Sequence, residues 1–348
     1  MQDISKIDKN FIVDADLKQD DIVFYDVKEN PFCLYGVFYK DGCYRRMPED
    51  VARATSEGVH LLHTHTAGGR LRFVTDSPYV AISVHMPPTA QSPHMAPTGK
   101  WGFDMYMNGI YVQNFVPPVP LPRDGYDSLR DLPGEGEREV TIHFPLYHSV
   151  NELRLGLKQG ATFRPIAGAK EKKRVVFYGS SITQGGCVSR SGMAYPNILA
   201  NKMDFDVINL GFSGNAKGET VMCDYIAGLN PDIFVMDYDH NAPNRPHLLA
   251  THEPFFLRFR EKHPDVPVIF MSAPNVRIDT GMDSRREVVR ATYQNALARG
   301  DKNVYYIDGY DLFGEEDWDL CTVDGCHPTD LGHYRMAMKL LPILKNLL

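Results

Sequence analysis

Arg174-Val175-Val176-Phe177-Tyr178-Gly179-Ser180-Ser181-Ile182-Thr183 decides the fold. An apolar, β-branched run ends in glycine and two serines, the pattern of a strand that enters a helix through a tight corner. The same grammar recurs downstream. Strands are predicted at 174–178, 206–210, 232–237, 267–272 and 303–307. Helices are predicted near 192–203, 217–229, 247–263 and 284–299, with a last one near 330–347. This alternation implies right-handed βαβ crossovers and a parallel sheet covered by helices on both faces. In such sheets ligands sit at the carboxyl ends of the strands. Ser181, Gly214, Asn241 and the loop Asp324-Gly325-Cys326-His327-Pro328 follow predicted strands or precede the final helix. They are therefore expected on one rim.

The first half reads differently. Leu71–Thr75 and Tyr79–Val84 flank Asp76-Ser77-Pro78, which is turn chemistry. Phe103–Tyr106 leads through Asn108-Gly109, a strong hairpin dipeptide, into Ile110–Val112. Glu139–Phe144 and Glu152–Leu157 alternate apolar with polar residues. Short strands and turns up to about residue 165 predict an antiparallel β-sandwich of jelly-roll type. Residues 158–173 are polar and Gly-containing, a linker or strap. The expected domains are 1–165 and 166–348, in line with 348 residues.

Composition narrows the function classes. The net charge of −7, without a basic block, argues against nucleic acid as a partner. No apolar run approaches the ~20 residues that span a bilayer. Met1–Lys6 lacks the basic start and apolar stretch of a signal peptide, which points to the cytoplasm. A chain already trimmed of its leader would look the same and would be periplasmic or secreted. Six cysteines without a C-x-x-C pair argue against a disulfide scaffold and a structural zinc site. Cys321 and Cys326 flank Asp324 and could bridge, but free thiols are the reading preferred.

A serine hydroxyl becomes a nucleophile when a neighbouring base takes its proton. A helix start adds N–H groups near a developing oxyanion. Ser181 is so placed, although Ser180 or Ser181 could simply cap the helix. Asp324 and His327, three residues apart, can turn to one side, the carboxylate holding the imidazole in one tautomer. His333, inside the last helix, reads as a packing residue, and Asp330 as that helix's cap. Gly214 lets backbone approach a ligand, and the Asn241 amide suits an oxyanion donor.

These residues resemble the short blocks of the SGNH/GDSL hydrolase superfamily. Gly179-Ser180-Ser181-Ile182-Thr183 resembles the first block, with Ser180 where the family has Asp. Phe212-Ser213-Gly214-Asn215 resembles the second. Asp239-His240-Asn241 keeps only Asn from the third block's Gly-x-Asn-Asp. Asp324-Gly325-Cys326-His327-Pro328 resembles the last. The resemblance implies a flavodoxin-like three-layer α/β/α domain with Ser181 as nucleophile, His327 as base and Asp324 as orienter. It also implies an oxyanion hole from Ser181, Gly214 and Asn241, with no metal and no organic cofactor. Gly102-Phe103-Asp104-Met105-Tyr106 resembles the Gly-x-Asp-Leu-Tyr motif of a β-domain ahead of some SGNH esterases. The implied activity is ester hydrolysis through an acyl-enzyme, removing acetyl or other small acyl groups from carbohydrates. The implied partner is a small-molecule or oligosaccharide ester. A lipid acylhydrolase or thioesterase, or an inactive carbohydrate-binding protein, are the rivals. His60, His63 and His65 have no acidic or cysteine partner at matching spacing. They read as strand residues, His63 and His65 on one face, rather than as metal ligands.

Overall fold

The computed structural model describes residues 7, 8, 17, 19–119, 121–122, 124–169 and 171–348. Five strands, Arg174–Gly179, Asp206–Gly211, Ile233–Asp237, Val268–Met271 and Val304–Ile307, form one parallel sheet. Numbered by sequence, their spatial order is 2-1-3-4-5, the flavodoxin arrangement. Successive side chains of the first strand feed opposite layers. Val175 and Phe177 join Leu199, Met336 and Leu340 beneath helices Tyr195–Met203 and Asp330–Leu347. Val176 and Tyr178 join Ile226, Phe255 and Val289 beneath Thr220–Gly228, Arg245–Lys262 and Gly281–Ala298. Burial on both faces explains why these strands read as continuous apolar runs.

The antiparallel strands form a sandwich. One sheet holds Ile22–Asp26, Glu152–Lys158, Tyr79–His85 and Tyr126–Asp131 in that order. The other runs Phe163–Arg164, Arg70–Thr75, Arg138–His143, Phe103–Met107 and Ile110–Phe115, with Cys33–Tyr35 also paired to Arg70–Thr75. Leu71, Phe73, Ile82, Met105, Ile142 and Leu155 fill the space between them. The opposite face of Arg70–Thr75 meets the α/β unit. The Arg70 Nη2 donates to the Phe205 carbonyl (2.7 Å), and Arg72 to Asp204 (2.6 Å). Asn108 and Gly109 take φ of +50° and +78°, as a primed two-residue hairpin turn requires. Asp76-Ser77-Pro78 carries the chain from one sheet to the other. The segment 158–173 is a strap: Phe163–Arg164 pairs with Arg70–Thr75, and Ile166 packs on Tyr35 and Val74.

The first half also contains two helices that its sequence does not announce, Glu49–Thr55 and Glu57–Leu62. They are short, and Met47, Ala52 and Val59 bury against Met222 and Ile226 of the α/β unit. Tertiary packing, more than propensity, holds such short helices. The shared strand face expected for His63 and His65 is therefore absent. His60 is helical, His63 caps that helix, and His65 makes a single bridge to Ser149. Among the described residues no helix is long and apolar enough to cross a membrane.

Candidate active site

Ser180 and Ser181 take different places at the helix start. Ser180 is the N-cap, its Oγ accepting the Ile182 N–H at 3.1 Å. Ser181 is the first helical residue, so its own N–H has no partner within the helix. Its Oγ lies 2.9 Å from His327 Nε2, and His327 Nδ1 lies 2.8 Å from Asp324 Oδ2. The other oxygen of Asp324 accepts the backbone N–H groups of Cys326 (3.0 Å) and His327 (2.7 Å). The turn needs Gly325 at φ +81°. Burial pushes the Asp324 carboxyl up, but the hydrogen bonds from His327 and Cys326 outweigh it and hold the group at about 2. An ionised Asp324 that fixes Nδ1–H leaves Nε2 free to accept the serine proton.

The loop after strand Asp206–Gly211 closes beside this chain. The Phe212 N–H donates to the Gly179 carbonyl (2.9 Å), and the Ser213 N–H to Gln184 Oε1 (3.1 Å), which binds the loop to the serine's helix. Gly214 is left-handed at φ +69°, and a Cβ on it would meet open space. The backbone conformation, not close packing, calls for glycine there. Asn241 ends a short 3-10 turn, Asp239–Asn241, and gives one amide N–H to the Phe212 carbonyl (2.8 Å). An amide carries two such hydrogens, so a second remains for a ligand. Strands Arg174–Gly179 and Ile233–Asp237 are neighbours at the switch point of the sheet order, and Ser181 and Asn241 follow them.

Several contributors carried no sequence signal. Tyr147, from the sandwich half, donates its hydroxyl to the Ser181 carbonyl at 2.9 Å. Arg46 is buried with no carboxylate partner among the described residues and grips the carbonyls of Asn209 (3.0 Å), Gly211 (2.6 Å) and Leu62 (2.8 Å). Its guanidinium also covers the Phe212 ring. The loop that holds Gly214 is thus braced from the other half of the chain. Behind the serine, Asp237 accepts from Thr183 and Tyr195, both at 2.8 Å, and burial with the nearby Asp239 raises its carboxyl to about 7. His333 is buried between the Tyr195 N–H and the Gly186 carbonyl, a packing position. The last helix is capped by Thr329 rather than Asp330, whose carboxylate instead accepts from the Ser189 N–H. All six cysteines are free.

Residues 172–345 match the GDSL-like lipase/acylhydrolase family model, half of the chain. The chain belongs to the GDSL-like lipase/acylhydrolase family. Residues 22–163 match the model of the N-terminus of SGNH-hydrolase-type esterases, a span that includes Gly102-Phe103-Asp104-Met105-Tyr106. Among solved structures, a protein from Bacteroides ovatus assigned as a GDSL-like lipase is 28% identical, with TM-score 0.81 over 94% of this chain and 98% of that one. A salicylyl-acyltransferase from a tetracycline biosynthetic pathway has TM-score 0.77 at 20% identity, covering 95% and 98% of the two chains. An acetyl xylan esterase from Butyrivibrio proteoclasticus has TM-score 0.60 at 14% identity over 93% and 98%. Both of the latter share the fold. No curated protein matches. Family and architecture make this GDSL-family chain an ester-bond hydrolase.

Proposed function

We propose a serine esterase that releases acetyl or other small acyl groups from carbohydrates. The observation that carries it is the unbroken chain Ser181 Oγ, His327, Asp324, with links of 2.9 and 2.8 Å. His327 takes the Ser181 proton as Oγ attacks the ester carbonyl. The N–H groups of Ser181 and Gly214 and the Asn241 amide receive the oxyanion. Expulsion of the alcohol, protonated by His327, leaves an acyl-enzyme that water hydrolyses. A Cβ on Gly186 would lie 3.1 Å from the Tyr147 hydroxyl and 3.3 Å from His327 Cδ2, so the wall beside the serine is closely packed. That favours a small acyl group. An acetyl xylan esterase uses the same two-part architecture, which supports a sugar as the alcohol. We place the division between the two units near residue 165, between strand Phe163–Arg164 and the parallel sheet.

The test is a p-nitrophenyl ester series from acetate to octanoate, followed by acetylated oligosaccharides, with wild type and Ser181→Ala. Equal rates for the two proteins would sink the serine mechanism. A preference for octanoate would favour the lipid acylhydrolase reading. Failure to react with a fluorophosphonate would favour an inactive binding protein.

A further inference from the structure

Cys326 and His240 have no part in the chemistry just described, yet both adjoin it. The His240 Nε2 lies 3.0 Å from Cys326 Sγ. Ligand atoms of Asp324, Cys326 and His327 all lie within 4.8 Å of one another. Three of these residues sit on one turn bent at Gly325, and His240 approaches from the separate turn Asp239–Asn241. Thiolate, imidazole and carboxylate are the donors of a four-coordinate zinc ion, with Zn–S near ~2.3 Å and Zn–N near ~2.0 Å. Such bonds put ligand atoms roughly 3.3–3.8 Å apart, so the Asp324, Cys326 and His327 atoms need close by no more than about 1.5 Å. The 3.0 Å contact of His240 with Cys326 need only open slightly to admit the ion.

We propose that Asp324, Cys326, His327 and His240 form a site for a zinc ion whose occupation takes His327 out of use. The inhibitory consequence rests on the esterase reading above. A ring nitrogen of His327 bound to metal gives up its hydrogen bond to Asp324 or to Ser181, and general-base catalysis stops. The metal is an inhibitor in this role and not a cofactor. As the Zn–S bond forms, the Cys326 S–H bond breaks and its proton goes to solvent. Magnesium and calcium, which take mostly oxygen donors, fit this set poorly.

The experiment titrates the full chain with zinc chloride against a chromophoric chelator and follows p-nitrophenyl acetate hydrolysis in parallel. One zinc per chain is expected, with hydrolysis lost on addition and restored by EDTA. Cys326→Ser should weaken binding by more than the ~10-fold that loss of a ligand's supporting partner costs, and its hydrolysis should resist zinc. His240→Gln is the second variant should Cys326→Ser fold poorly. Absence of stoichiometric binding, or equal affinity in both variants and wild type, overturns the site. Zinc binding by a chain that never hydrolyses esters supports the site and overturns the esterase reading. Hydrolysis without zinc binding does the reverse.

Discussion

Asp324 and Asp104 each accept three hydrogen bonds, yet their acidities move in opposite directions. Asp324 takes two backbone N–H groups and the His327 ring. Asp104, in the 102–106 motif, takes the Asn114 amide (2.6 Å), the Arg190 guanidinium (2.8 Å) and the Gly192 N–H (2.7 Å). The Asp324 carboxyl is held at about 2, while burial lifts that of Asp104 above its ordinary value despite the arginine. The side chain of Asp324 is 24% exposed and that of Asp104 is 0%. Desolvation, not the number of donors, separates them. Their linkage to folding differs in sign. Asp324 adds stability above the ordinary carboxylate range and loses it as pH falls through about 2. Asp104 is neutral in both states at low pH and begins to oppose folding as pH rises through that range. On the proposed esterase reading one aspartate serves an accessible reaction, while the other locks a junction.

The comparison breaks first on activity. Ser181→Ala should lower kcat/KM on p-nitrophenyl acetate by roughly 10⁴-fold or more, and Asp324→Asn by about 10³- to 10⁴-fold. Denaturant midpoints should barely change for Ser181→Ala. If Asp104→Ala removed as much activity per folded molecule as Asp324→Asn, the division of labour would be wrong. Next comes the oxyanion donor. Asn241→Ala should cost about 10²- to 10³-fold in kcat with KM little altered, and a pure KM effect would make Asn241 a substrate-binding residue instead.

Much of the candidate rim could be read in advance as a place where residues meet, because its members stand in short contiguous blocks fixed by strand ends. Val175-Val176-Phe177-Tyr178 and Ile233-Phe234-Val235-Met236 announce buried strands, and Gly179 behind the first announces a turn. The junction was legible only as the resemblance at 102–106. Arg190 and Gly192 are nearly ninety residues from Asp104, and no local pattern links them. Arg46, Tyr147 and the Asp237–Tyr195 pair are invisible for the same reason: their meaning is a contact made across the fold. The helices Glu49–Thr55 and Glu57–Leu62 escaped because each is too short to show a period.

Asp104→Ala leaves Arg190 without its charge partner and should destabilise by roughly 3–5 kcal/mol, read from urea unfolding. A loss below about 1 kcal/mol would show that Asp104 does not lock the junction. Asp237 extends the same contrast to the layer behind the serine. Its carboxyl is raised to about 7, so ionisation in the unfolded chain draws stability away as pH climbs from the ordinary carboxylate range toward 7. Asp237→Asn removes that drain, and its stability relative to wild type should rise between pH 4 and 8 by up to about 4 kcal/mol. A flat difference across that range would mean Asp237 stays ionised in the fold.

The smallest effect separates two adjacent serines. Ser180→Ala deletes a cap on a four-residue helix, which costs about 1 kcal/mol. The Ser181 Oγ keeps His327 within reach, because that contact does not pass through Ser180. Much of the activity should therefore survive, with a modest fall in thermal midpoint. Complete loss of hydrolysis in a folded Ser180→Ala protein would mean that the cap and the nucleophile have been assigned to the wrong residues. Retention there, beside its loss in Ser181→Ala, would confine the chemistry to the one hydroxyl that faces the imidazole.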